Sequence, residues 1–188
     1  MTFLFWLDWT LFALAALSTA YIFFFSLAAS LYNRCHRATP PAAVEARQRF
    51  LFLIPAYGED AVIQQTADKA LAVDYPSHLM HVAVISDHMS DATNQALALK
   101  PLTLFTATYD NSTKAKALQM AMHGTTFESD YVVILDADNH VYADFLTRLS
   151  SHLALMRNPV AVQCHRTAKN TNTSTAILDA VSEEVNNH

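Results

Sequence analysis

Two carboxylates stand two residues apart behind a strongly apolar segment. The segment YVVIL occupies residues 131–135, and Asp136 and Asp138 come after it. Because alternate side chains of an extended backbone project to the same side, both carboxylates are predicted to face one site. Mg²⁺ and Mn²⁺ prefer such oxygen ligands, and the ion can bridge a diphosphate and neutralise charge on a leaving nucleotide. Short acidic loops after strands are common, so it is the position at a strand end that favours a metal site.

Other charged residues stand at positions where a nucleotide could bind. Asp87 follows an apolar run and could accept hydrogen bonds from a base or a ribose, although a turn carboxylate is the alternative. For Asp91 a turn or cap function is favoured. Lys114 and Lys116 begin a segment of good helix formers, where the helix dipole disfavours cations. A bound anion would relieve this, and two solvated lysines are the alternative.

Apolar runs and helical spacings alternate along the chain. Strands are predicted at residues 50–54, 81–86, 102–106, 131–135 and 160–163. Helices are predicted at residues 62–73, after Asp91, at 114–123, at 142–156 and, in amphipathic form, from Ser174 onward. Pro55 is expected to end the first strand, Asp91 to cap the helix after the second strand, and Gly124 to cap the end of the next helix. The alternation predicts an α/β fold with a mostly parallel sheet and flanking helices.

The carboxyl ends of the predicted strands are where chemistry is expected. In open parallel sheets ligands bind outside these ends, which here are residues 55–59, Asp87 with His88, and residues 136–138. Only two glycines occur, which excludes the glycine-rich dinucleotide and phosphate loops. A nucleotide would therefore be held by side chains and a metal.

The composition narrows the partners. The 188 residues carry a net charge of -5 and no basic run, so no nucleic-acid partner is expected. The two cysteines are far apart, which argues against a disulfide framework. The chain is 52 % apolar and only 15 % charged, and the apolar excess is concentrated at its N-terminus.

The N-terminal segment has the features of a membrane anchor. Residues 9–32 form an uncharged apolar run, with Trp6 and Trp9 at one end and Tyr32 at the other, and about 20 such residues cross a bilayer. Arginines follow the run, which predicts a cytoplasmic C-terminal side. A cleaved signal peptide is the alternative, but the run is long and no basic residue precedes it. We expect an anchor at residues 1–33, a proline-containing linker at 34–49 and a globular domain at 50–188.

Four segments resemble, in order and spacing, the motifs of family 2 glycosyltransferases. FLIPAYGE resembles the first-strand motif, an apolar run followed by P-x-Y-N-E, with Gly58 in place of Asn. VISDHMSDAT resembles V-V-D-D-G-S-x-D-x-T, with Ser86 in place of the first acid and Asp87 matching the second. STKAKALQMAM resembles G-K-x-x-A-L-N, and VVILDADN resembles the V-x-x-L-D-A-D metal motif. Together they cover residues 50–162, most of the globular part.

The resemblance implies a GT-A fold, a Rossmann-like sheet that binds a nucleotide-sugar donor, most often a UDP-sugar. It implies that the first motif contributes to the nucleoside pocket, with Asp87 at the base, Lys114 at the base or diphosphate, and Asp136 at the sugar or ribose. It also implies that Asp138 holds Mg²⁺ or Mn²⁺, together with Asp136. The first-motif residues matched in this way are Pro55, Ala56, Tyr57 and Glu59. The acceptor would be a saccharide or a lipid-linked saccharide, in cell-envelope or polysaccharide synthesis at a bacterial-type plasma membrane.

An inverting transferase also needs a base to deprotonate the acceptor hydroxyl. The family places this acid well after the metal motif, and no residue of this chain matches it. We therefore expect an N-terminal, donor-binding part of a longer enzyme, with negligible transfer on its own. Two other classes stay open: a sugar nucleotidyltransferase, which would be expected to carry a glycine-rich signature, and a membrane-tethered binding module without transferase activity.

Overall fold

The computed structural model describes residues 2–35, 47–107, 109–157, 159–168, 173, 176–178 and 180–182. The chain forms two compact units. One comprises residues 1–40 and 163–188, and the other comprises residues 41–162. Most of the predicted linker, residues 36–46, lies outside the described residues.

The first unit contains one long helix, α1 (Thr2–Cys35). Its stretch Leu4–Tyr32 is 29 residues long and apolar enough to cross a membrane, and the window on which this rests is not buried against the protein. Hydroxyl groups along it donate to carbonyl oxygens four residues earlier at 2.8–2.9 Å, so their polarity is satisfied within the helix. The predicted apolar helix is therefore present, and whether it spans a membrane stays a prediction.

The second unit is a four-stranded parallel sheet with helices on its faces, as predicted. Its strands, in the spatial order β3-β2-β1-β4, are β1 (Phe50–Tyr57), β2 (Met80–Asp87), β3 (Thr103–Ala107) and β4 (Tyr131–Ile134). Its α-helices are α2 (Ile63–Leu71), α3 (Asp91–Ala98), α4 (Lys114–Gly124) and α5 (Phe145–Leu153), and a short 3₁₀ turn occupies Ser77–Leu79.

The two central strands are buried on both faces. Phe52 belongs to a cluster that includes Ile63 of α2 and Leu146 of α5, whereas Leu53 belongs to a second cluster that includes Ala117 of α4. Alternate residues of a strand point to opposite faces, so β1 has to be apolar at every position to fill both clusters. Each fully buried large side chain of this kind contributes about 1.5–3 kcal/mol. This explains the continuous rather than alternating pattern of the first run.

The prediction that Pro55 ends β1 is wrong, because the strand continues to Tyr57. Beyond Leu53 the pairing with β4 has ended, while pairing with β2 runs on to Tyr57 opposite Asp87. A proline cannot donate to a ladder and is tolerated where one side of the strand is unpaired. Pro55 lies in that part of the strand.

Both predicted caps are also corrected. Ser90, not Asp91, caps α3, since its hydroxyl accepts from the Thr93 amide at 3.2 Å and Asp91 is already helical. Gly124 is the last residue of α4 rather than its cap. A Cβ there would lie 2.6 Å from Cε1 of Phe105, so close packing on β3 requires glycine at this position.

The strand and the helix predicted for the C-terminal residues have different outcomes. The strand predicted at residues 160–163 is wrong: the described residues 159–168 contain no strand, and Val160 is fully exposed. Without a neighbouring strand its backbone has no ladder to join. In the predicted C-terminal helix, residues 176–178 and 180–182 are helical, with Ile177 and Val181 exposed. Residues 174, 175, 179 and 183–188 of that prediction lie outside the described residues.

Candidate active site

The carboxyl ends of β1, β2 and β3 meet at one edge of the sheet. Tyr57 is in register with Asp87, and Asp87 with Ala107. Asp136 lies two residues beyond the end of β4 on the other side of β1. The parallel topology therefore brings the predicted site residues to the same edge.

The loop after β1 is fixed to the loop after β2. Gly58 has φ +61°, and its amide donates to the Asp87 carbonyl at 3.0 Å. Asp60 accepts from the Ser90 hydroxyl at 2.6 Å and from the Ser90 amide at 3.0 Å. The Ser90 hydroxyl is the first cause that lowers the pKa of Asp60 below its ordinary value. Hydrogen bonds to the anionic form of one aspartate thus hold the two turns together.

The predicted residues of the first motif differ in accessibility. Ala56 is buried and Pro55 is half-buried within β1. Tyr57 and Glu59 are exposed, and the Glu59 amide donates to Sδ of Met89 at 3.1 Å. Of these four residues, only Tyr57 and Glu59 therefore offer exposed side chains to a ligand, and Ala56 is buried in the sheet.

Asp87 is enclosed rather than open. It is 4 % exposed, and its Oδ1 lies 2.6 Å from Nδ1 of His88. The His88 ring in turn contacts the Tyr57 ring, with centroids 4.9 Å apart and planes at 45°. His88 has φ +55°, which is uncommon for a residue with a side chain. The sequence pattern had drawn attention to Asp87, whereas the exposed group at this place is His88.

Lys114 and Asp136 form an ion pair between Nζ and Oδ1. Thr113 caps α4 by accepting from the Lys116 amide at 3.2 Å, which places Lys114 at the first turn. The carboxylate of Asp136 offsets the unfavourable position of this cation at a helix N-terminus. Lys116 instead donates to the Asn111 carbonyl at 2.7 Å. The structure thus gives the two lysines different partners.

Asp136 and Asp138 lie in a turn, not in extended backbone. β4 ends at Ile134, and the Asn139 amide donates to the Asp136 carbonyl at 3.0 Å. Ala137 between them is buried, and its carbonyl accepts from the buried Thr66 hydroxyl at 2.6 Å. The expectation of alternate side chains on a strand is therefore corrected: an anchored alanine holds the turn. Asp136 is half-buried and Asp138 is exposed.

The two carboxylates of this turn are compatible with a hard divalent cation. Within the described part of the chain no group of three or more His, Cys, Asp or Glu side chains could hold a metal alone. Mg²⁺, however, is commonly bound by one or two carboxylates, several waters and substrate phosphates. The Asp136 and Asp138 carboxylates supply that number of ligands.

An open cleft lies at the carboxyl ends of β2 and β3. It has a volume of about 420 Å³ and is lined by Ser86, His88, Met89, Asp91, Asn94, Gln95, Thr106 and Ala107. On its wall the Ser86 hydroxyl donates to Oδ1 of Asn94 at 2.6 Å. The site residues thus form two groups. Tyr57 and Asp87 contact His88, which lines the cleft, whereas Lys114 pairs with Asp136 after β4.

The chain was compared with protein families and known structures. The family described as "Glycosyltransferase like family 2" matches residues 47–187. The chain belongs to this family. This confirms the resemblance found in the four sequence motifs. The comparison with curated proteins gave no match.

A solved mannosyltransferase structure shares the fold of this family 2 chain. A mannosyltransferase from Pyrobaculum calidifontis, in complex with GDP-Man and Mn²⁺, is 26 % identical with a TM-score of 0.55; the match covers 72 % of this chain and 42 % of that one. S. aureus TarS 1-349 in complex with UDP is 18 % identical with a TM-score of 0.49, over 65 % of this chain and 40 % of that one. The fold is GT-A. The chain spans less than half the length of these neighbours.

Several contacts in this family 2 domain had not been predicted from its sequence. They are the enclosure of Asp87 by His88, the anchoring of Ala137 by Thr66, and the bridge between Asp60 and Ser90. The one sequence signal for the first was the position of His88 directly after the acid at a strand end. The other two join residues 71 and 30 positions apart and depend on the folded sheet.

Proposed function

We propose that this chain is the donor-binding part of an inverting glycosyltransferase. It would bind a nucleotide-sugar, in the first instance a UDP-sugar, for transfer to a saccharide or lipid-linked acceptor in cell-envelope or polysaccharide synthesis. The observation that carries the proposal is the convergence of Lys114 and Asp136 at the sheet edge of a family 2 chain. The two residues come from separate motifs, 22 positions apart.

The charges at this edge suit a nucleoside diphosphate. We assign Lys114 to the donor diphosphate, because its ammonium is half-exposed at the start of α4, where the helix dipole also attracts anions. Asp136 keeps Lys114 in place and faces the sugar or ribose. Asp87 and the first-motif residues Pro55, Ala56, Tyr57 and Glu59 are assigned to the nucleoside end.

We assign Asp138, with Asp136, to Mg²⁺ or Mn²⁺. Asp138 is the exposed carboxylate of the anchored turn and has room for an ion shared with phosphate oxygens. A bound divalent ion would offset the negative charge that develops on the departing nucleoside diphosphate. The mannosyltransferase neighbour was solved with GDP-Man and Mn²⁺, which supports a divalent ion in this site. For the same reason GDP should be tested beside UDP as a ligand.

Isothermal titration of the full chain in detergent with UDP or GDP, with and without Mn²⁺, tests the proposal. We expect binding that requires Mn²⁺ and that Asp138→Ala abolishes. Asp144→Ala is the matched control, because Asp144 is also exposed and makes only a long pair with Arg148 at 3.7 Å. Equal binding by wild type and Asp138→Ala would remove the metal assignment. No binding of either nucleotide by folded wild type would overturn the donor site.

The two lysines of α4 provide a second comparison. Lys114→Ala is expected to weaken nucleoside diphosphate binding about tenfold or more, the range for a charge-assisted bond to phosphate. Lys116→Ala should leave it within about twofold, because Lys116 bonds the Asn111 carbonyl. In turnover assays of the intact enzyme, release of nucleoside diphosphate supports the transferase, whereas release of pyrophosphate would indicate a nucleotidyltransferase.

A further inference from the structure

We propose that His88 determines base specificity, and that its Nε2 accepts a hydrogen bond from the ring N–H of uracil or guanine. This rests on the proposed function, since it concerns the nucleoside end of the same donor site. In this proposal His88, rather than Asp87, contacts the base. Asp87 then acts as a positioning residue.

The enclosure of Asp87 is the first step. Its carboxylate side chain is 6 % exposed, whereas the His88 side chain is 43 % exposed. Oδ1 of Asp87 lies 2.6 Å from Nδ1 of His88, and the cleft is lined by His88 and not by Asp87. A base that enters from the cleft therefore meets the imidazole before it meets the acid.

The same contact fixes the tautomer. An ionised carboxylate can only accept, so Nδ1 of His88 must carry the proton that it donates. In the neutral ring Nε2 is then an acceptor. Within the described part of the chain Nε2 has no hydrogen-bond partner, and the ring lines the cleft. The chemistry offered to a ligand is a single, oriented acceptor.

The ring is held by more than this one bond. The backbone of His88 is in the left-handed region at φ +55°, and the Gly58 amide holds the Asp87 carbonyl beside it at 3.0 Å. The Tyr57 ring contacts the imidazole on one face and is itself 60 % exposed. A left-handed residue with a side chain persists only where its surroundings fix it, and such residues concentrate at functional sites. Tyr57 also offers an aromatic surface for a base to stack on.

The cleft beside His88 has the size and polarity for a nucleoside. Its volume of about 420 Å³ lies within the range of small-molecule sites, roughly 300–1,000 Å³. Asn94 and Thr106 provide further polar side chains in its wall. Uracil and guanine carry a ring N–H toward such an acceptor, whereas cytosine and adenine present a ring nitrogen with a lone pair. If Nε2 of His88 faces the ring nitrogen of cytosine or adenine, two acceptors meet. No hydrogen bond forms between them, and both have lost their contact with water.

Titrations of UDP against CDP isolate this contact, because the two bases are nearly identical in shape. The full chain in detergent is titrated with UDP, CDP, N3-methyl-UDP and inorganic pyrophosphate, with Mn²⁺, at about pH 8, above the range in which imidazole ordinarily titrates. Wild type is expected to prefer UDP over both CDP and N3-methyl-UDP by about tenfold or more. In His88→Phe, which keeps a ring over Asp87 but offers no acceptor, this ratio should fall close to one, with pyrophosphate binding unchanged.

Phenylalanine is the replacement of choice at residue 88 because its ring keeps Asp87 covered. Glycine, which the family pattern V-V-D-D-G-S has there, would instead expose the Asp87 carboxylate, itself an acceptor, to the base. His123→Ala is the control, since His123 is exposed at the opposite end of α4 from Lys114. A UDP-to-CDP ratio that His88→Phe leaves unchanged, or equal wild-type affinity for UDP and CDP, overturns the assignment of His88 and leaves the donor site standing. Parallel loss of pyrophosphate binding in His88→Phe would show a structural effect and also overturn it. Failure of wild type to bind any nucleoside diphosphate overturns both proposals.

Discussion

Single residues at the sheet edge explain departures from the family pattern. Gly58 stands where the first motif usually has asparagine, and its φ is +61°. Glycine and asparagine are the two residue types that most readily adopt the left-handed conformation. Nothing lies within 4 Å of the position where a Cβ would be. The motif therefore requires a left-handed backbone at this position, which either glycine or asparagine can adopt.

The exchange of Gly58 tests this directly. Gly58→Ala is expected to cost about 1–2 kcal/mol of unfolding free energy, because alanine pays the left-handed penalty, and Gly58→Asn is expected to cost clearly less. Urea unfolding of the full chain in detergent, followed by pulse proteolysis of the second unit, provides the measurement. Since the space around residue 58 is open, a larger side chain alone should not matter. An asparagine variant less stable than the alanine variant would contradict the conformational explanation.

The sequence predicted the residue types at the site better than their environments. Asp87, Lys114 and Asp136 do reach one edge of the sheet, because strand ends and helix starts determine where they lie. That Asp87 would be covered by His88 could not be predicted, since it depends on one residue entering the left-handed region. That Lys114 rather than Lys116 pairs with Asp136 depends on the cap formed by Thr113, which sets the first turn of α4.

At the scale of elements, the alternation of strand and helix was predictable and the ends of elements were not. Apolar runs long enough to fill both faces of a central strand leave little choice of structure, as in β1 and β2. The extension of β1 through Pro55 depends on where pairing with β4 stops, which is a property of two strands together. The strand predicted at residues 160–163 failed for the related reason that apolar composition does not provide a partner strand.

The contact of α4 with β3 yields a prediction at this scale. Gly124→Ala places a Cβ 2.6 Å from the Phe105 ring, so the helix or the ring must shift. Alanine normally stabilises a helix interior by up to about 1 kcal/mol relative to glycine, but here we expect a loss of about 1–3 kcal/mol from overpacking. The measurement is again urea unfolding followed by pulse proteolysis.

A double mutant separates the two explanations for Gly124. If the Phe105 ring is the obstacle, Gly124→Ala should be tolerated far better in a Phe105→Leu background, where the ring carbons are gone. The coupling between the two substitutions is then favourable, as for residues in direct contact. If Gly124 acted as a helix cap, the cost of alanine would be the same in both backgrounds.

At the scale of the whole molecule, the N-terminal helix is the feature that a soluble domain does not account for. Its apolar side chains are exposed along nearly its full length, and the hydropathy of Leu4–Tyr32 averages 2.0 over its most apolar window. A continuous exposed apolar surface of this size marks a membrane or a protein interface. We predict that it lies in a membrane, because the helix is uncharged between Trp9 and Tyr32, and 29 residues at about 1.5 Å each exceed a hydrocarbon layer of roughly 30 Å.

This assignment predicts both retention and orientation. With an epitope tag before residue 1 and a fusion after residue 188, the tagged protein should stay in membranes after alkaline carbonate washing and keep its tag. Green fluorescent protein fused at the C-terminus should fluoresce in bacterial cells, and alkaline phosphatase at the same place should be inactive, because the arginines that follow the helix favour the cytoplasmic side. Loss of the tag would indicate a cleaved signal peptide instead. Active alkaline phosphatase would place the domain across the membrane, away from a cytoplasmic supply of nucleotide-sugar.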